Sequence, residues 1–211
     1  MTKILILGGG GMVGQKLANH LLASGLPGHK ALDITLFDMA FPLKQDGRLR
    51  CITGSLTDAQ NITMLAQLRP DIVFHLASIV SGEAESNFDA GWQVNMFTMW
   101  HYLEALKTLH IESNRAYVPK IIFTSSIAVF GGPFPEQIDD TFLSAPQTSY
   151  GAQKASCELL LSDFSRKGFV DGISLRLPTI CVRPGKANLA ASSFFSGIIR
   201  EPLNGQKAIL P

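Results

Sequence analysis

Lys3-Ile4-Leu5-Ile6-Leu7-Gly8-Gly9-Gly10-Gly11-Met12-Val13-Gly14 is the stretch from which the rest of the chain can be read. A short apolar run, suited to a buried parallel strand, meets a glycine cluster, and a helical pattern begins at Met12. A dinucleotide-binding βαβ unit opens in this way. Its glycines allow a tight turn, close approach of the backbone to a pyrophosphate, and close packing of helix on strand. The helix N-terminus then offers free N–H groups and partial positive charge to the phosphates. Two registers fit: Gly9, Gly11 and Gly14 satisfy G-x-G-x-x-G, while Gly8, Gly11 and Gly14 satisfy G-x-x-G-x-x-G.

Working outward, Val13, Leu17, Leu21 and Leu22 mark the buried stripe of a first helix ending near Gly25. Asp33-Ile34-Thr35-Leu36-Phe37-Asp38 reads as a second strand ending in a carboxylate. Its distance from the glycines suits an acid that accepts bonds from the adenosine ribose, so Asp38 favours NAD over NADP, whose 2′-phosphate it would repel. A polar loop over 39–50 precedes a third strand, Cys51-Ile52-Thr53. Ser55 and Leu56 just beyond it are candidates for cofactor contact, and Thr57 or Asp58 for capping the next helix.

Asp71-Ile72-Val73-Phe74-His75-Leu76-Ala77-Ser78 reads as a fourth strand. His75, inside an apolar run, reads as a satisfied core histidine. Leu76, Ala77 and Ser78 lie at the strand's carboxyl end, where open α/β sheets bind ligands. Residues 81–86 read as a polar loop, and 87–109 as one long helix. Asn95 stands out there, because an amide on an apolar face needs partners, which a bound water or the loop beneath a nicotinamide would supply.

Lys120-Ile121-Ile122-Phe123-Thr124-Ser125-Ser126 is a fifth strand ending in hydroxyls, and Ile173-Ser174-Leu175-Arg176 a sixth. Pro178 breaks the pattern after it, a further helix is expected over 188–200, and 205–211 resembles the start of another strand. Strands alternating with helices at this spacing predict an α/β fold, a Rossmann-like doubly wound parallel sheet with right-handed crossovers.

Composition sets the bounds. The 211 residues suit one domain, and 18 lysines and arginines against 17 aspartates and glutamates give no reason to expect nucleic acid or an anionic membrane as partner. The apolar runs fall short of a membrane span. Met1-Thr2-Lys3 enters the first strand with no apolar leader before it. Cys51, Cys157 and Cys181 are odd in number, far apart and not matched with histidines at metal-ligand spacing. They read as reduced packing thiols of a cytoplasmic protein, with no metal site.

The chemistry centres on Tyr150 and Lys154, four apart at the start of a helix and so on one face. An ammonium beside the phenol, together with the charge of an oxidised nicotinamide, is expected to draw the tyrosine pKa from about 10 toward neutrality. Such a tyrosine can take a proton from an alcohol while hydride leaves the same carbon. Ser126 is placed to hydrogen-bond the reacting oxygen, and Lys154 has a second task on the nicotinamide ribose.

Gly8, Gly11, Gly14, Asp38, the Leu76-Ala77-Ser78 strand end, Asn95, Ser126, Tyr150 and Lys154, in this order, resemble the extended short-chain dehydrogenase/reductase family, in its NAD-dependent epimerase/dehydratase branch. The resemblance selects the Gly8 register, leaving Gly9 and Gly10 as turn residues that let the backbone approach the phosphates. It implies NAD as cofactor, tyrosine as acid/base, serine orienting the substrate and lysine on the cofactor. It also extends the expected cofactor contacts to Met12, Val13, Ser125 and Pro178. Phe130 departs from the pattern where many members carry tyrosine.

The Arg176-Leu177-Pro178-Thr179-Ile180-Cys181-Val182-Arg183-Pro184-Gly185-Lys186 stretch and Ala190-Ala191-Ser192-Ser193-Phe194-Phe195-Ser196 are similar to a narrower group in that family. Its members oxidise the 2-hydroxyl of a four-carbon sugar acid with NAD. Arg183 would then pair with the substrate carboxylate, for which a guanidinium is suited. A nucleotide-sugar epimerase or dehydratase and a catalytically silent NAD-binding module are the alternatives. Family members continue into a substrate-binding segment, so 1–177 is expected to be the NAD-binding domain with Ser, Tyr and Lys, and 178–211 an incomplete start of that segment, apparently truncated. A homodimer would form through the helices at 87–109 and 150–166.

Overall fold

The computed structural model describes residues 1–185, 190 and 192–210. Six apolar runs pair into one sheet: β1 (Thr2–Leu7), β2 (Leu32–Asp38), β3 (Arg50–Thr53), β4 (Ile72–His75), β5 (Lys120–Ser126) and β6 (Asp171–Leu177). All neighbours are parallel, in the order β3-β2-β1-β4-β5-β6. This is the doubly wound, Rossmann-like topology. Its strand order reverses between β1 and β4, which opens a crevice at their carboxyl ends.

The described residues form seven α-helices: α1 (Met12–Ser24), α2 (Ala59–Gln67), α3 (Ser81–Ser86), α4 (Phe88–Trp92), α5 (Thr98–Glu112), α6 (Ser149–Arg166) and α7 (Phe194–Leu203). Right-handed crossovers divide α1, α2, α5 and α6 between the faces of the sheet. Ala18 and Leu21 of α1 pack on Ile4, Ile6, Ile34 and Leu36 on one face. Leu65 of α2, Tyr102, Leu103 and Leu106 of α5, and Leu161 and Phe164 of α6 pack on Leu5, Val73, Ile121 and Phe123 on the other. On the α1 face, Ile173 and Leu175 of β6 remain 53% and 41% exposed.

Four expectations need correction. Residues 81–86 form α3, whose Ala84 is buried; one and a half turns are too few for a helical period to register in sequence. The helix expected over 87–109 is three pieces, α4, a wide π-type turn at Gln93–Phe97, and α5. The fourth strand stops at His75, although the Leu76 N–H still donates to the Leu7 carbonyl of β1 at 2.9 Å, and Ala77 and Ser78 lie beyond it. Residues 205–210 form no strand. The last helix starts at Phe194; Asn188 and Lys186, named in the sequence reading, lie outside the described residues, as do Ala191 and Pro211.

Candidate active site

The carboxyl ends of β1, β2, β4, β5 and β6 face one cleft made of three adjoining cavities. The first, about 220 Å³, is lined by Gly8, Asp38, Ser55, Leu56 and Ala77 among others. The second, about 540 Å³, runs along Gly8, Gly11, Met12, Val13 and Gly14. The third, about 460 Å³, holds Ser125, Ser126, Tyr150, Lys154 and Pro178. Leu76 and Ser78 line all three and so join them.

The glycine turn is fixed by close contacts. Gly8 has φ +85°, and a β-carbon there would lie 2.7 Å from the Ala77 nitrogen. At Gly14 a β-carbon would lie 2.3 Å from the Gly8 carbonyl, so α1 sits closer to β1 than any side chain allows. Gly9 and Gly10 are also constrained by packing. Side chains there would collide with Leu36 and with the Ala40 carbonyl, so they are glycines for packing on β2 and the loop after it.

Gly11 caps α1 without a side-chain bond, and the first turn carries no acid. The first-turn N–H groups and the positive end of the helix dipole are therefore directed into the cavity without side-chain competition. Asp38 accepts from the Gly10 N–H at 2.9 Å and the Met39 N–H at 2.7 Å. A carboxylate has about four acceptor positions, so it can brace the turn and still accept ribose hydroxyls. A phosphate-sized cradle at a helix N-terminus, with an acid at the end of the next strand, fits a dinucleotide.

At the other end, the Ser78 and Ser126 hydroxyls face the Tyr150 phenol. Burial pushes that phenol above its ordinary pKa, and the two hydroxyls pull it back down. In the chain alone burial outweighs them; the expected lowering toward neutrality needs the charge of an oxidised nicotinamide as well as Lys154. Lys154 is 2% exposed. Its Nζ donates to the Thr124 carbonyl at 2.9 Å and lies 4.7 Å from the Phe123 ring centre and 5.5 Å from that of Tyr150. Burial lowers its pKa to about 8. Ser126 also accepts from the Ala128 N–H at 3.2 Å. Ser125 is 3% exposed and its hydroxyl has no partner.

Asn95 is 1% exposed, with every partner inside the protein. Its Oδ1 accepts from the Ser78 hydroxyl at 3.0 Å and the Ile79 N–H at 2.9 Å. Its Nδ2 donates to Gln153 Oε1 at 2.8 Å and to the Ile79 carbonyl at 3.3 Å. The Cys157 thiol donates to the Asn95 carbonyl at 3.1 Å, inside the π-type turn. The Asn95 amide thus holds Ser78 and Ile79 just beyond the end of β4, with the Ser78 hydroxyl facing Tyr150. Gln153 was missed in the sequence, although it gives the same signal as Asn95: an amide on the inner face of a helix, three residues after Tyr150. Val80, Glu83, Thr179 and Ile180 also line the cleft and were missed. Loop residues carry no periodicity that would single them out.

Other expectations divide. His75 is buried as read, but neither ring nitrogen has a partner. Burial, aided by the Lys154 charge, lowers its pKa to about 3. Of the cysteines only Cys157 is buried; Cys51 and Cys181 are exposed, so they are not packing residues. Phe130 packs under the Arg176 guanidinium at 4.8 Å and against Phe142, and is absent from the lining of the Tyr150 cavity. Arg183 lines the glycine cavity and is likewise absent from the lining around Tyr150. Asp58 is the cap of α2, accepting from the Gln60 N–H at 2.9 Å. Among the described residues no cluster is placed to hold a metal ion, and no helix is long and apolar enough to cross a membrane.

Comparison with known proteins gives concordant matches. Residues 4–211 match the model of the NAD-dependent epimerase/dehydratase family. The chain is 46% identical over 211 residues to a D-erythronate dehydrogenase of Haemophilus influenzae, covering 99% of this chain and 64% of that protein. It is 48% identical over 214 residues to one of Cupriavidus necator, with the same coverage. A crystal structure described as a nucleoside-diphosphate-sugar epimerase from Agrobacterium tumefaciens superposes with a TM-score of 0.89 at 48% identity, over 100% of this chain and 62% of that one. The chain therefore spans about 64% of the length of the curated relatives it matches.

Proposed function

The chain belongs to the NAD-dependent epimerase/dehydratase family, and from that premise we propose that it oxidises the 2-hydroxyl of a four-carbon sugar acid, D-erythronate, to 2-dehydro-D-erythronate with NAD. One observation carries the reading: a phenol flanked by two serine hydroxyls, with a buried lysine behind it, ends a cleft that begins in a glycine cradle.

Gly8, Gly11, Met12, Val13 and Gly14 would hold the pyrophosphate, Asp38 the adenosine ribose, and Ser55 and Leu56 the adenine side. Leu76, Ala77, Ser78, Ser125 and Pro178 would wall the nicotinamide half, with Asn95 holding Ser78 from behind. NAD supplies the hydride acceptor. Ser126 hydrogen-bonds the C2 hydroxyl and sets its angle to Tyr150. Tyr150, as phenolate, takes the hydroxyl proton, so the carbinol carbon becomes a ketone as its hydride leaves. Lys154, within reach of Tyr150, supplies positive charge that favours the phenolate and offers its ammonium to ribose hydroxyls. Residues 1–177 act as the cofactor domain and 178–211 begin the substrate wall. The reading carries a cytoplasmic location, in keeping with the free thiols, and a second copy of the chain as partner across α5 and α6.

A second reading is a nucleotide-sugar epimerase, favoured by the description of the Agrobacterium structure at 48% identity. Absorbance of NADH with D-erythronate, against a panel of aldonates and UDP-sugars, separates the two. We expect NADH from D-erythronate and none from Tyr150→Phe, which keeps NAD binding. Epimerised UDP-sugar without NADH release would establish the second reading. NAD binding without turnover of any substrate would overturn both and leave a silent binding module.

A further inference from the structure

We infer that the Arg183 guanidinium serves the pyrophosphate of the bound dinucleotide and not the carboxylate of the acid; this rests on the NAD reading above. Two cavities compete for the residue, and the chain's path decides between them. Pro178, Thr179 and Ile180 line the Tyr150 cavity. Three residues beyond Ile180, a distance of roughly 10 Å in extended chain, Arg183 lines the cavity of Gly8, Gly11, Met12, Val13 and Gly14.

The position is built. The Arg183 N–H donates to Ser196 Oγ at 3.0 Å, and its carbonyl accepts from Arg200 Nη1 at 2.8 Å. Both partners lie on α7 and are themselves buried, at 4% and 9% exposure. Arg200 is held in turn by Glu201. One face of α7 therefore fixes the backbone of Arg183 at both its donor and its acceptor.

Charge gives the second argument. Among the described residues Arg183 is the one basic residue lining this cavity, which also contains the carboxylates Asp38 and Glu83. A dinucleotide pyrophosphate carries two negative charges, and the α1 terminus meets them with backbone N–H groups and a partial charge alone. A guanidinium matches phosphate oxygens bidentately and adds the full charge the cradle lacks.

Calorimetric titration with ADP-ribose is the test, because that ligand carries the pyrophosphate but neither a nicotinamide nor a sugar acid. Arg183→Gln should weaken ADP-ribose and NAD binding about ten- to a hundredfold, with Arg183→Lys recovering part of the loss. The KM for D-erythronate at saturating NAD should change less than about twofold. The side chain is exposed, and an unchanged melting temperature checks that the fold is kept. If Arg183→Gln binds ADP-ribose as the wild type does, the inference is overturned, and a raised KM for the acid would return Arg183 to the carboxylate. A wild-type chain that binds no ADP-ribose overturns this inference together with the NAD reading. Loss of ADP-ribose binding in the variant, in a protein that oxidises no acid, upholds the inference while the substrate reading falls.

Discussion

At the scale of single residues, the site depends on groups whose burial has a measurable cost. His75 is 1% exposed with both ring nitrogens unpartnered, and burial first, then Lys154, lowers its pKa to about 3. The unfolded chain binds that proton near pH 6.5 while the folded chain stays neutral, so the unfolded state binds more protons between those values. Stability from this group is complete above pH 6.5 and falls as pH falls toward 3. At pH 4.5 the loss is about 2–3 kcal/mol. His75→Leu should remove it: urea unfolding at pH 7 would change little, while the acid transition moves to lower pH. An acid transition that stays in place would show that His75 is not its source. Burial at His75 was legible from the apolar run around it. The missing partners were not, because hydrogen bonds are supplied by elements remote in sequence.

At the scale of elements, the carboxyl end of β4 is shaped by a side chain from another helix. Asn95, in the π-type turn between α4 and α5, holds Ser78 and Ile79 and is held by Gln153 and Cys157 of α6. Removing the amide leaves the Ile79 N–H and Gln153 without it, and Gln153 Nε2 already lacks a partner. Asn95→Ala should cost about 2–3 kcal/mol of stability and lower kcat, because Ser78 is released from Tyr150. A loss under about 0.5 kcal/mol in chemical denaturation would mean the clamp is not what shapes the loop. Strand β5 was legible to the residue, Lys120–Ser126, because a long apolar run ending in hydroxyls has few other readings. Helix α3 and the π-type turn were not, since one is too short to show a period and the other follows from contacts with α6.

At the scale of the whole molecule, sheet order was legible because alternating strands and helices, with right-handed crossovers, leave few topologies. Arg183 illustrates the limit. The residue type announced an anion, but which anion depends on where α7 holds the backbone, and nothing local to Arg183 encodes that. Trp100 on α5 and Leu159 on α6 are 39% and 73% exposed, beside a groove lined by Met96, Phe97 and Leu160. If a second copy covers this face, sedimentation equilibrium should give twice the chain mass for the wild type and the single mass for Leu159→Glu combined with Trp100→Glu. A monomeric wild type would remove the proposed partner.

The proposed oxidation requires the cleft to be an NAD site with Asp38 at its ribose end. Equilibrium titration of the chain with NAD and with NADP, followed by quenching of the intrinsic tryptophan fluorescence or by calorimetry, tests this most directly. Saturable NAD binding, with NADP at least about tenfold weaker because Asp38 repels a 2′-phosphate, is the predicted result. No NAD binding, or NADP bound as tightly as NAD, would contradict it.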